Sequence, residues 1–270
     1  MKIKSPYRVT PGAKFRLKDW PTNDTGTFKD EAAAQEDLKK HRQNLGNLQD
    51  VLFADAKHAL LIVLQAMDTG GKDGTIRHIF TGVNPQGVDV TPFKVPTPLE
   101  AAHDFLWRAH AAVPRRGTIG IFNRSHYEDV LVTRVHKMIS DKVAKRRLRE
   151  INQFEEMLND NGVIILKFFL HISHKEQTAR LKARCDDKEK HYKISESDFH
   201  ERVYWHKYYE YYEDAIAATS QKHAPWFVIP ADHKWYRNVA VSQIIVHALE
   251  GMNLKYPLPT FDVSKVCAEV

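Results

Sequence analysis

Lys72 is framed by Gly70, Gly71 and Gly74 and by two aspartates, Asp68 and Asp73, at the end of the apolar run Leu60-Leu-Ile-Val-Leu-Gln-Ala66. Glycines let backbone N–H groups close around phosphate oxygens. A lysine adds a mobile positive charge, and a helix that begins at the loop turns its positive end toward the anion. The next residues, Thr75-Ile-Arg-His-Ile-Phe80, have the make-up of that helix, so strand, loop and helix follow in the order a phosphate loop requires. The pattern G-x-x-x-x-G-K-[ST] is met only in part, because Ala66 stands at its first glycine and Asp73 at its hydroxyl position. A glycine-rich turn without a ligand is the alternative, which the order of the elements disfavours. Gly70, Gly71, Lys72, Asp73, Gly74, Thr75 and Arg77 form the expected phosphate-binding run, and Arg134 is counted with them.

The missing hydroxyl bears on metal binding, since in an ordinary phosphate loop that group holds Mg²⁺. Asp68, four residues before Lys72, is the leading candidate to hold a hard cation against the phosphates, Mg²⁺ first and Mn²⁺ as an alternative. Asp73 has two readings of equal weight, a metal contact and a cap on the helix start.

A second constellation, Gly117-Thr-Ile-Gly-Ile-Phe-Asn-Arg-Ser-His-Tyr-Glu-Asp129, is a short apolar strand ending in polar residues. Parallel sheets place their chemistry at such carboxyl ends. Arg124 is the expected catalytic residue there, because its planar fork can clasp a phosphoryl group and balance its charge. Asn123 stands where many nucleotide hydrolases carry an aspartate. Ser125 with Glu128 fits a capping box, and structure is the favoured reading of Ser125; Glu128 stands second to Asp68 as a metal candidate.

These residues require a frame. Apolar runs at Ala59 to Gln65, Val88 to Phe93, Thr118 to Phe122, Val163 to Ile172 and Trp226 to Pro230 read as strands buried on both faces. Helices are expected at Glu31 to Phe53, Thr75 to Gly82, Leu99 to Val113, His126 to Asn159 with a break near Ser140, His174 to Arg184, Glu196 to Thr219 and Tyr236 to Gly251. The alternation predicts an α/β fold of phosphate-loop kinase type, a three-layer sandwich around a parallel sheet of about five strands, in one domain over residues 1–270. Residues 1–30, with Pro6, Pro11 and Pro21, read as an extended arm.

A chain of 270 residues, 43% of them hydrophobic, can bury a full core. Its formal charge of +6 suits a polyanionic partner without choosing among nucleic acid, acidic membranes and other polyanions. Cys185 and Cys267 have neither disulfide nor metal spacing, and no secretory or membrane-spanning segment is apparent, so a cytoplasmic enzyme is expected. The histidines read as packing or surface residues. Lys142 to Arg149 read as a solvated helix face, and the tyrosines from Tyr204 to Tyr212 as core or oligomer contacts.

Taken together, Gln65-Ala-Met-Asp-Thr-Gly-Gly-Lys-Asp-Gly74, Gly82-Val-Asn-Pro-Gln-Gly87, Phe122-Asn-Arg-Ser-His-Tyr-Glu-Asp129, Lys190-His-Tyr-Lys-Ile-Ser195 and Ala224-Pro-Trp-Phe-Val-Ile-Pro-Ala-Asp232 resemble the polyphosphate kinase 2 family, in family order and across nearly the whole chain. Asn123 in place of aspartate points to its class III branch. The resemblance implies phosphoryl transfer from inorganic polyphosphate to AMP and ADP, and extends to guanine nucleotides, with no nucleic acid or membrane partner and a homo-oligomeric state. It also implies that residues 184–195 form a lid holding Arg184, Lys190 and Lys193 over the phosphates; without it, the segment reads as a solvated charged loop. On this reading the loop backbone and Lys72 grip phosphates, Asp68 holds the metal, and Arg124 with Arg184 braces the migrating group. Phe93, Lys94, Val95, Pro96, Thr97, Arg108 and Asn123 are assigned to the acceptor nucleotide. Two other functions stay open: an ATP-dependent nucleoside monophosphate kinase, and a basic nucleic-acid-binding module that keeps a degenerate loop.

Overall fold

The computed structural model describes residues 3–194 and 196–267. In chain order it runs α1 (Glu31–Asp55), β1 (Ala59–Ala66), α2 (Lys72–Ile79), β2 (Val88–Pro92), α3 (Pro98–Ala101), α4 (Trp107–Ala111), β3 (Ile119–Asn123), α5 (Val132–Val135), α6 (Asp141–Asp160), β4 (Val163–His171), α7 (His174–Asp186), α8 (Glu196–Glu201), α9 (Trp205–Thr219), β5 (Trp226–Pro230), α10 (Lys234–Glu250) and α11 (Val263–Cys267). The five strands form one parallel sheet in the order β2-β3-β1-β4-β5, as the alternation predicts.

Every residue of β1 is buried, which is why it reads as an unbroken apolar run. The connection leaving β1 goes to one side of the sheet and that leaving β4 to the other, so a crevice opens above their carboxyl ends. β2 departs from the expectation: it is the edge strand, with Asp89 and Val90 exposed, rather than buried on both faces. At the opposite edge the N-terminal arm seals β5. Val9 N–H donates to Trp226 O and Val228 N–H to Tyr7 O, both at 2.9 Å, while Tyr7, Val9 and Leu17 sink into the core.

Local polar groups divide some of the expected helices. Between α3 and α4 the Asp104 carboxylate accepts from Leu106 N–H at 3.0 Å, and α3 opens on a Thr97–Glu100 capping box. The block expected over His126 to Asn159 becomes a 3-10 turn (His126–Val130), α5 and α6. Ser140 starts α6 by accepting from Val143 N–H, so the break near Ser140 is found. Another 3-10 turn (Arg202–Tyr204) separates α8 from α9.

Candidate active site

The loop between β1 and α2 is shaped by its glycines. Gly71 caps α2 with φ of 97°, a left-handed conformation that a side chain resists, and a Cβ there would lie 2.0 Å from Arg237 Nη1. At Gly70 a Cβ would lie 2.4 Å from that of Ala66, so the alanine at the pattern's first glycine is accommodated because Gly70 has no side chain. Lys72 bends back over the loop, its Nζ 3.4 Å from Ala66 O. Desolvation, with Arg124 second, pushes its ammonium down to about 8.

Arg124 follows β3 in a left-handed conformation, φ 61°, and its N–H donates to Leu64 O at 3.1 Å. Its guanidinium reaches across β1 to the loop: Nη2 lies 2.9 Å from Asp68 Oδ1, and Nη1 3.5 Å from Glu128 Oε2. Glu128 first, then Asp68, holds the guanidinium in its charged form. Asn123 Nδ2 donates to Asp73 Oδ1 at 2.6 Å. Asp73 therefore does not cap α2; that position belongs to Gly71, with no side-chain cap. Ser125 caps the turn at His126 as expected, accepting from Tyr127 N–H at 3.2 Å and from Gln65 Nε2 at 3.1 Å. The capping box does not close, because Glu128 faces Arg124.

Together these elements border a cleft of about 570 Å³ at the carboxyl ends of the strands. Among the described residues, eight lysines and arginines line it against two aspartates, Asp68 and Asp73. Of the expected residues, Asp68, Gly70, Gly71, Lys72, Asp73, Gly74, Phe93, Lys94, Asn123, Arg124, Arg184 and Lys190 all meet there. The Lys193 side chain and Ser195 lie outside the described residues. Glu128 borders an adjoining small pocket with Tyr208 and Tyr212, whose packing, with Trp205 and Tyr212 buried, agrees with the core reading of that helix.

Several expected residues are elsewhere. Thr75 is buried and its hydroxyl donates to Gly71 O at 3.0 Å, so it braces the helix rather than facing an anion. Arg77 is exposed on α2 outside the cleft lining. Arg134 is buried away from the cleft, its guanidinium held by Asp141 and Asp214 at 2.9 and 3.0 Å and stacked 3.9 Å over the Tyr211 ring. Arg108 is committed to Lys94 O and Asp129 and lies over Phe93; it supports the wall instead of reaching in. Val95 is 90% exposed, and Val95, Pro96 and Thr97 do not line the cleft.

Conversely, Arg180, Lys234 and Arg237 line the cleft without having been expected. Arg180 stands four residues before Arg184 on α7, a spacing that puts both on one helix face. Lys234 opens α10 just beyond the end of β5, a position that strand-end chemistry would flag.

A fully buried central strand that turns through glycines at its carboxyl end into a cleft walled with cations defines an α/β protein of the phosphate-loop kinase type. Comparison with known proteins gives the family. The model of the family described as Polyphosphate kinase 2 matches residues 28–257, and the chain belongs to that family. It is 51% identical over 264 residues to a Meiothermus ruber protein named AMP/ADP-polyphosphate phosphotransferase, covering 97% of this chain and 99% of that one. It is 42% identical to a Rhodopseudomonas palustris ADP-polyphosphate phosphotransferase, covering 96% and 94%. The crystal structure of Polyphosphate Kinase 2 from Arthrobacter aurescens TC1 superposes with a TM-score of 0.94 at 42% identity, over 99% of this chain and 96% of that one.

Proposed function

We propose that the chain transfers the terminal phosphoryl group of inorganic polyphosphate to AMP and ADP by direct in-line displacement. The observation that carries this reading is the cleft: eight cations and two carboxylates among the described residues around a phosphate loop suit two polyanions meeting end to end. The loop amides and Lys72 grip the phosphates, and Arg124, held between Asp68 and Glu128, presents its fork to the migrating group. The acceptor is already an anionic nucleophile, so the chain needs no general base and forms no covalent intermediate. Arg184, in the last turn of α7, and Lys190, in the 3-10 turn that follows it, reach the cleft as parts of a lid that excludes water as donor and acceptor meet.

The donor set fits a hard divalent cation. Among the described residues no three His, Cys, Asp or Glu side chains converge as a metal cage, which matches Mg²⁺ held by one or two carboxylates and substrate phosphates. Asp68 would hold it, with Glu128 second, and Mn²⁺ would use the same oxygens; bound there, the cation would neutralise charge on the transferring phosphates.

Acceptor range rests on Asn123. Its amide donates to Asp73, so that corner of the cleft carries one negative charge instead of the two that an aspartate would give, and both AMP and ADP are accommodated. Guanine nucleotides, a homo-oligomeric state, a cytoplasmic location and a single domain belong to the same proposal. No described helix is long and apolar enough to cross a membrane. The test supplies AMP, Mg²⁺ and polyphosphate with no ATP and no other kinase. ADP should form first and ATP after it; no product from either AMP or ADP would refute the reading, and turnover of ADP alone would refute the acceptor range.

A further inference from the structure

The cations of the cleft fall into two groups. Arg124 follows β3 and Lys94 lies just past β2, on the side where Phe93 supplies the one Phe, Tyr or Trp ring of the lining among the described residues. Arg180 and Arg184 come from α7, Lys234 and Arg237 from α10, so they stand above β4 and β5, and no Phe, Tyr or Trp of either helix lines the cleft there.

Arg237 is unlike the others. It is 2% exposed, yet no carboxylate pairs with it among the described residues. Its Nε and Nη2 donate to the neutral Asn238 Oδ1 at 3.2 and 2.9 Å, while Nη1 has no hydrogen bond to any described residue and is aimed at the Gly71 turn of the loop. The same point beside Gly71 lies 2.0 Å from Arg237 Nη1 and 3.5 Å from Arg180 Nη1, so two guanidinium groups converge on the loop. Arg180 has its own partners: Glu176 on Nε, Thr69 O on Nη1, and the carbonyls of Ala231 and Asp232 on Nη2. Arg237 has none of that compensation. Burial first and Arg180 second lower its affinity for the proton, but a guanidinium stays charged near neutral pH. A buried charge without a counter-charge is costly, and the group that offsets it here has to be an anion entering from the cleft.

We infer that Arg237 is a binding residue for the polyphosphate donor, and that with Arg180 and Lys234 it forms a subsite, on the β5 side of the loop, for donor phosphates that are not themselves transferred. This rests on the proposed function and adds a direction to it: the donor chain lies across the ends of β1, β4 and β5, and the nucleotide approaches from the β3 side. The donor is preferred to the acceptor for this subsite because a run of cations without aromatic rings suits a linear anion, whereas a nucleoside gains from an apolar face. The geometry also explains Gly71. A side chain there would occupy the space of the Arg237 guanidinium, so loop and subsite depend on the same absent Cβ.

The test is Arg237→Met, which keeps the length and removes the charge, with Arg237→Lys beside it. Initial rates are measured against long-chain polyphosphate and against ADP, and melting temperature is measured with and without sodium tripolyphosphate or ADP. For Arg237→Met the KM for polyphosphate should rise about tenfold or more, as expected for loss of a charged hydrogen bond, with the KM for ADP within about twofold of wild type. The melting shift given by tripolyphosphate should be lost and that given by ADP kept. Without ligand the variant should melt no lower than wild type, because an uncompensated charge has been removed. Arg237→Lys should recover part of the polyphosphate affinity, and it carries the test if the methionine variant does not fold. A variant that melts lower yet keeps the wild-type KM for polyphosphate would overturn the inference in favour of a packing role. Equal rises in both KM values would also overturn it, as general damage to the loop. Wild-type protein without polyphosphate turnover would instead refute the proposed function.

Discussion

Lys72 gives the cleft a pH dependence that can be worked out from its surroundings. The loop desolvates its ammonium and Arg124 adds a like charge, and together they outweigh Asp68, Glu128 and Asp73, leaving the group at about 8 instead of 10.5. Lowering a cation's affinity for its proton means that folding disfavours the charged form. Between pH 8 and 10.5 the unfolded chain keeps this proton and the folded chain does not, so the destabilisation from Lys72 is fully present below 8 and fades as pH rises through that window. Function runs the other way, because the charged form grips phosphate. Roughly nine-tenths of the free protein carries the charge at pH 7 and roughly one-eleventh at pH 9, so kcat/KM for polyphosphate should fall about tenfold over that interval. The alkaline side is informative since terminal phosphates finish titrating below it, near pH 6 to 7. Bound polyphosphate restores the charge, so kcat at saturating donor should hold to higher pH than kcat/KM. The assay is ATP formation from ADP between pH 6.5 and 9.5, with Lys72→Arg alongside. The arginine variant should be slower but flat to pH 9, since its group does not titrate there. A flat wild-type profile, or the same alkaline fall in Lys72→Arg, would refute the reasoning.

Two other predictions concern residues beyond the cleft. Arg134→Met removes the ion pairs to Asp141 and Asp214 and the contact with Tyr211; it should cost about 1–3 kcal/mol in urea unfolding while KM for polyphosphate stays within about twofold of wild type. Lys167 is fully buried on β4, bonded to Glu155, to Tyr127 Oη at 2.9 Å and to Thr219 O at 2.7 Å. Lys167→Met alone leaves the Glu155 charge buried and should cost about 3–5 kcal/mol, most of it recovered in the double variant Lys167→Met with Glu155→Leu; an additive double variant would show that the pair is not coupled.

The local code of the site is legible in the chain itself. An apolar run followed by glycines and Lys72 can end only as a buried strand turning into a helix, because apolar burial, glycine freedom and backbone capping are properties of adjacent residues. For the same reason the five strands, the start of α6 at Ser140 and the position of Arg124 at a strand end could all be read in advance. Helix lengths were less legible wherever a short polar side chain, such as Asp104, satisfied its own neighbour's N–H and ended the helix early.

What the chain could not specify by local pattern is which charges meet. Arg134 and Arg237 look equally basic in sequence, yet one is neutralised by Asp141 and Asp214, on α6 and α9, and the other faces the loop with only Asn238 beside it. Arg108 looks available for phosphate until the fold supplies Asp129. The sheet order sets β4 and β5, and with them the helices α7 and α10 that follow, beside β1, and so brings Arg180, Lys234 and Arg237 to a loop more than a hundred residues away. Partnering of charges is a long-range property, since the cost of a buried cation depends on which carboxylates the topology brings within a few ångströms. The sequence by itself therefore determined the phosphate loop and the strand that carries it, and the tertiary structure decided which of the forty lysines and arginines serve it.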